Sequence, residues 1–181
     1  VGSLYRTQSA GDGRVVSVYD GAEMSADAYP ERAHVTNDDS VLDGYTRAYG
    51  ALFAAYARNE LRFETEMTYT LLSTEVNRKW DWDGRRSTAS ASDDIRDLLS
   101  AIPSFRLSVL HGYSDILTPY GVSKFVLNHL PEQLAKGRTE LKLYRGGHMF
   151  YSDPDSRLKA NEDMRSFYEA EAPVEARPPR G

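Results

Sequence analysis

Cysteine is absent from the 181 residues, which removes disulfides, thiolate metal sites and a cysteine nucleophile together. Long apolar runs are absent too: none approaches the roughly 18 residues that a membrane-spanning helix requires. The 22 lysines and arginines form no basic stripe, and a formal net charge of −5 with a pI near 5.4 argues against a nucleic-acid partner. The first residues, VGSLYRTQSAGDG, resemble neither a secretory signal nor a transit peptide. The acidic clusters Asp38-Asp39 and Asp81/Asp83 lack the ligand spacing of a calcium loop, so they read as helix-start and turn chemistry and no metal is expected. The G-x-S-x-G turn that carries the serine of α/β-hydrolases is also missing. What remains is enough apolar content (40%) for a core, at a mean hydropathy of −0.57 that implies a large exposed portion.

The pattern changes near Ser90. Residues 1–40 are rich in Gly, Asp and Ser, with one β-like run at Arg14–Tyr19, and read as irregular structure around a strand or hairpin. Ser40 with Asp43 fits a capping box. The helix it opens places Leu42, Tyr45, Tyr49, Leu52, Phe53 and Tyr56 on one broad apolar stripe. Residues 61–84 read as a short helix plus loop, and Arg85–Ser92 as a polar connector. From Asp93 onward helix and strand alternate. Ile95, Leu98, Leu99 and Ile102 make a helix face stopped by Pro103, and Phe105–Leu110 reads as a strand buried on both faces. Val122, Phe125, Val126, His129 and Leu130 give the next helix face, and Glu140–Tyr144 the second strand. Asp153-Pro154 opens a last helix with Ala160, Met164, Phe167 and Tyr168 on its apolar side. This order is that of a parallel α/β sheet with crossover helices. Two strands alone leave sheet edges and a face uncovered, so further strands from a missing N-terminal part or a partner chain are expected. Residues 173–181 read as a disordered tail.

In open α/β sheets, sites form outside the carboxyl ends of the strands. Asp115 lies five residues past Leu110, and His148 four past Tyr144. Both therefore project from one edge, in the order in which a Ser…Asp…His triad finishes. An acid there fixes the imidazole tautomer and stabilises the imidazolium, while the other ring nitrogen accepts the serine proton. Gly146 and Gly147 permit the tight turn that aims the histidine. The spacing alone is equally compatible with Asp115 starting a turn and His148 being a loop residue. His111 reads as a core histidine, and neither His129 nor His34 has a partner in sequence. Trp80 and Trp82 suit packing better than a substrate wall.

The segments HGYSDILTPYGVSKFVLNHL, LYRGGHMFY and LLSTEVNRKWDW resemble the C-terminal half of the serine carboxypeptidase family, most closely its cysteine-free bacterial members. The likeness runs roughly from Arg14 to Tyr168. Gly112-Tyr113-Ser114-Asp115 fits the family's G-x-x-D acid segment, and Gly147-His148-Met149 its G-H-M histidine segment. Phe150 and Tyr151 stand where eukaryotic members have a proline. The resemblance implies an α/β-hydrolase fold, with 1–90 as a mostly helical lid or cap insertion and 91–172 as the C-terminal part of the core. It implies removal of a C-terminal residue from a peptide through an acyl-enzyme, with Asp115 and His148 catalytic, and Met149 and Thr118 lining the site. It implies no cofactor, and a periplasmic or secreted location. The family's nucleophile, in G-E-S-Y-[AG], lies upstream of everything present, so the serine is expected from a missing N-terminal segment or chain. Another α/β-hydrolase (an esterase or acyltransferase) and a non-catalytic interaction domain on the same scaffold are the alternatives.

Overall fold

The computed structural model describes residues 13–27, 30, 39–82, 84 and 89–170. His34, Asp38, Asp83, most of the polar connector and the tail at 173–181 lie outside the described residues. The protein is of mixed helix and strand, with one antiparallel and one parallel sheet, each of two strands among the described residues. The chain forms two compact units: Val1–Ser17 with Glu23–Ala89, and Val18–Ala22 with Ser90–Gly181. The short segment Val18–Ala22, which the sequence groups with the N-terminal ninety residues, thus packs with the second unit.

In the first unit, β1 (Arg14–Val16) pairs antiparallel with β2 (Met24–Ala26), followed by α1 (Ser40–Asn59) and the short α2 (Thr74–Lys79). The cap of α1 is Asp39 and not Ser40: its carboxylate accepts from the amides of Val41 and Leu42, and also from the Ser17 hydroxyl at 2.8 Å. Two adjacent residues of capping type left that position open in the sequence; the hydroxyl from β1's end favours the carboxylate. The apolar stripe of α1 is real but mostly exposed: Leu42 and Tyr45 are half-buried, while Leu52 is 63% exposed and Tyr49, Phe53 and Tyr56 are exposed too. Ring contacts within the unit, Tyr45 stacked on Tyr49 and Phe53 tilted against Tyr69, cover part of it.

The second unit follows the alternating order expected. It runs α3 (Ser92–Ala101), β3 (Leu107–Gly112), α4 (Tyr120–Asn128), α5 (Glu132–Ala135), β4 (Thr139–Tyr144), a 3-10 turn at Phe150–Ser152 and α6 (Pro154–Glu169). β3 and β4 pair in parallel from Leu107↔Thr139 to Gly112↔Tyr144. Parallel pairing demands a crossover, which α4 and α5 supply. The N-cap of α6 is Asp153 with Pro154 in the first turn, as the sequence indicates.

The core sits where β4 meets α6. Tyr144 stacks on Phe150 at 4.8 Å, Ala160 closes the cluster and Leu110 packs against it. The Tyr144 hydroxyl donates to Asp163 at 3.0 Å, and burial together with that bond pushes the phenol well above its ordinary pKa. Arg138 is 5% exposed and donates to the carbonyls of Leu99, Ile102 and Phe105, tying the exit of α3 to the start of β4. The Leu99 and Ile102 carbonyls lie at the helix end, where intrahelical donors run out, and Phe105 O lies just beyond it; one guanidinium serves all three. Arg106 does the same for α6, donating to the carbonyls of Phe167 and Ala170 with its guanidinium over the Phe167 ring.

Three expectations are corrected here. β3 is half-buried along most of its length and not buried on both faces, because β4 is the one strand beside it among the described residues. On α4, Val122 and Phe125 face outward at 64% and 62% exposure, while Ser123, Val126 and Leu127 turn inward. The Phe125 ring lies 3.9 Å from that of His129, which is equally outside the core. Tyr168 likewise points away from the core that Ala160 joins.

Candidate active site

The ends of β3 and β4 lie side by side, and so do the loops that leave them. The Tyr113 amide donates to Tyr144 O at 2.9 Å, and the Ser114 amide to Gly146 O at 3.0 Å. This crossing is possible because of glycine. A Cβ on Gly112 would overlap the carbonyl oxygens of Gly146 and Gly147, and Gly146 adopts φ 112°, a region that side chains disfavour.

Asp115 and His148 meet at this crossing. His148 Nδ1 lies 2.9 Å from Asp115 Oδ2. The Asp115 side chain is 3% exposed and that of His148 38%. Thr118 completes the acid's surroundings: its amide donates to Asp115 Oδ1 at 2.9 Å and its hydroxyl to Oδ2 at 2.7 Å. The same hydroxyl stands 3.1 Å from His148 Nδ1. Burial works against the Asp115 charge, but the Thr118 amide, the His148 ring and the Thr118 hydroxyl together outweigh it and hold the carboxyl below its ordinary pKa. The acid is therefore an anion at neutral pH, which offers acceptors and no donor. The proton of a neutral His148 then belongs on Nδ1, leaving the Nε2 lone pair available as a base.

Of the four residues singled out from the sequence, Asp115, Thr118 and His148 share this hydrogen-bond network. Met149 follows His148, half-buried, and its carbonyl accepts from Ser152 in opening the 3-10 turn. His111, read as a core histidine, has its Nε2 2.8 Å from the Ser123 hydroxyl and its Nδ1 4.0 Å from Asp115 Oδ2. Trp80 and Trp82 belong to the first unit and are not buried, 6.2 Å apart between ring centroids.

Sequence reasoning missed Tyr19, Asp20 and Ser114. His148 N donates to Tyr19 O at 2.6 Å, and the Ser114 hydroxyl donates to Asp20 Oδ1 at 2.6 Å. Half of these contacts are made by the backbone, which leaves no side-chain signature; a Gly beside a loop histidine was the only available hint. Among the described residues, no cluster of His, Asp and Glu is arranged to hold a metal ion, and no helix is long and apolar enough to cross a membrane. Comparison with family models, with curated proteins and with solved structures gives no match for this chain.

Proposed function

We propose that this chain supplies the acid and the base of a serine hydrolase of the α/β-hydrolase fold, acting as a carboxypeptidase. The observation that carries this reading is the buried, Thr118-supported Asp115 carboxylate 2.9 Å from the Nδ1 of a partly exposed His148, beyond the carboxyl ends of adjacent parallel strands. In this role His148 Nε2 removes the proton from a serine hydroxyl as that oxygen attacks the scissile carbonyl. Asp115 stabilises the imidazolium, which then protonates the leaving amine. Water repeats the sequence on the acyl-enzyme, with His148 again the base. The resemblance of the G-x-x-D and G-H-M segments narrows the substrate to a peptide with a free C-terminus.

The serine and the oxyanion-binding amides come from polypeptide outside these 181 residues, since no G-x-S-x-G turn occurs within them. A fluorophosphonate probe tests the division of labour. The purified chain should not be labelled; covalent labelling would overturn the claim that its nucleophile lies elsewhere. When the chain is joined with a segment bearing a G-E-S-Y-type serine, cleavage of an N-blocked dipeptide should appear. His148→Ala should then lower kcat by about 10⁴-fold or more. Turnover that survives this substitution would remove His148 from the chemistry. Hydrolysis of the corresponding ester but not of the peptide would favour an esterase.

A further inference from the structure

Two loops that leave different strands need something to hold them in register if a hydrogen bond between their side chains is to persist. Here both are tied to a third piece of chain. The Asp20 carboxylate accepts from the Ser114 hydroxyl across 94 positions of sequence, and from the Ala22 amide at 3.0 Å. The Gly21 amide donates to Ser114 O at 2.7 Å, one residue before the acid. On the other loop, Tyr19 O accepts from the His148 amide, and the Tyr19 ring meets the imidazole edge-on at 5.6 Å and 77°.

The fit leaves no slack. A Cβ on Gly147 would fall on the Tyr19 carbonyl and on Asp20, and one on Gly21 would fall on the Ile116 side chain. Both glycines have ordinary negative or extended backbone, so it is space and not φ that excludes larger residues there.

We propose that Val18–Ala22 is a strap that positions the Asp115–His148 pair, with Tyr19 the positioning residue for His148 and Asp20 that for the acid's loop. Tyr19 acts through the imidazole: an edge-on ring limits the rotation of His148, and the carbonyl fixes the backbone from which that side chain springs. The inference deepens the reading of this pair as acid and base, but its test requires no turnover.

The measurement is proton NMR of the full chain, following the His148 Nδ1 proton, which a bond to a carboxylate shifts strongly downfield and protects from solvent. Tyr19→Ala should speed its exchange roughly tenfold, the scale of a lost local restraint. Tyr19→Phe, which keeps ring and carbonyl, should stay within about twofold of the wild type. Asp20→Ala should speed exchange by a smaller factor. The amide protons of the β3–β4 ladder serve as the reference. Wild-type exchange in both Tyr19→Ala and Asp20→Ala would overturn the strap. If Tyr19→Ala also loses amide protection in β3 and β4, Asp20→Ala decides alone. A wild-type chain without such a proton would instead remove the Asp115–His148 pair and leave the strap nothing to position.

Discussion

The two units differ in how much they enclose. In the second, charge is buried and satisfied: Arg138 holds three carbonyls and Asp115 is enclosed by Thr118 and His148. In the first, carbon lies open, with Leu52, Phe63, Met67, Val76 and Trp80 all more than half exposed. Yet α1 is the more apolar helix in sequence and α6 the more polar one. Apolar patterning proposes a buried face, but burial is conferred by the neighbours an element finds. Where such side chains form one patch, that surface is in many proteins covered by other material. A polar pair of defined geometry requires the opposite, a setting already closed.

The sharpest way to break this contrast is Arg138→Ala. Three carbonyls lose one buried partner, and the second unit should lose about 4 kcal/mol, measured by residue-resolved hydrogen exchange in β3 and β4. A loss below about 1 kcal/mol would mean that water replaces the guanidinium and that the site is not closed. Next comes a matched pair: Phe150→Ala should cost about 3 kcal/mol, and Leu52→Ala under about 1 kcal/mol, by urea unfolding. Equal costs would show that α1 is covered and would erase the distinction between the units.

Titration sharpens the same point. Asp115 is held below its ordinary pKa, so its contribution is present above the unfolded value of about 3.9 and is lost as pH falls through the lower folded value. Tyr144 is shifted upward, so its contribution is complete below the free value of about 10 and fades as pH rises through the folded one. Urea midpoints across pH should therefore show a shallower acid limb in Asp115→Asn and a shallower alkaline limb in Tyr144→Phe. Unchanged limbs would deny that these two groups are selectively stabilised in the fold. The smallest effect belongs to the exposed Lys79–Glu75 pair at 2.6 Å on α2. There Glu75→Gln should change stability by less than about 0.5 kcal/mol, because solvent screens the charges.

Much of the second unit is legible in its residues. Pro103 and Pro131 end helical patterns, Asp153-Pro154 begins one, and both strands stand out as short apolar runs. Asp115 and His148 are legible for the same reason: each follows such a run by a turn's length. The orientation of α4 is not legible, since the periodicity of Val122, Phe125 and Val126 announces a face without naming what lies opposite. β2 is three residues long with nothing apolar but Met24 and Ala26, too brief for any pattern to register. Asp39 and Ser40 are chemically equivalent as caps until Ser17 arrives from far along the chain. The strap could not be foreseen, because part of its grip is the Tyr19 carbonyl and the Gly21 amide, which leave no mark in the residue types, and its side chains act on loops about a hundred positions away.

Gly112 has one more consequence, for redesign. The Asp115 and His148 loops approach through bare main chain at Gly112, Gly146 and Gly147, so the spacing of acid and imidazole is dictated by peptide dimensions. Tyr113, 60% exposed between the crossing and the acid, lends the crossing its amide, while its ring rests edge-on against Tyr120. Anyone grafting the pair onto another parallel sheet should transplant the glycine crossing first, and with it Thr118 and the partners that hold the two loops.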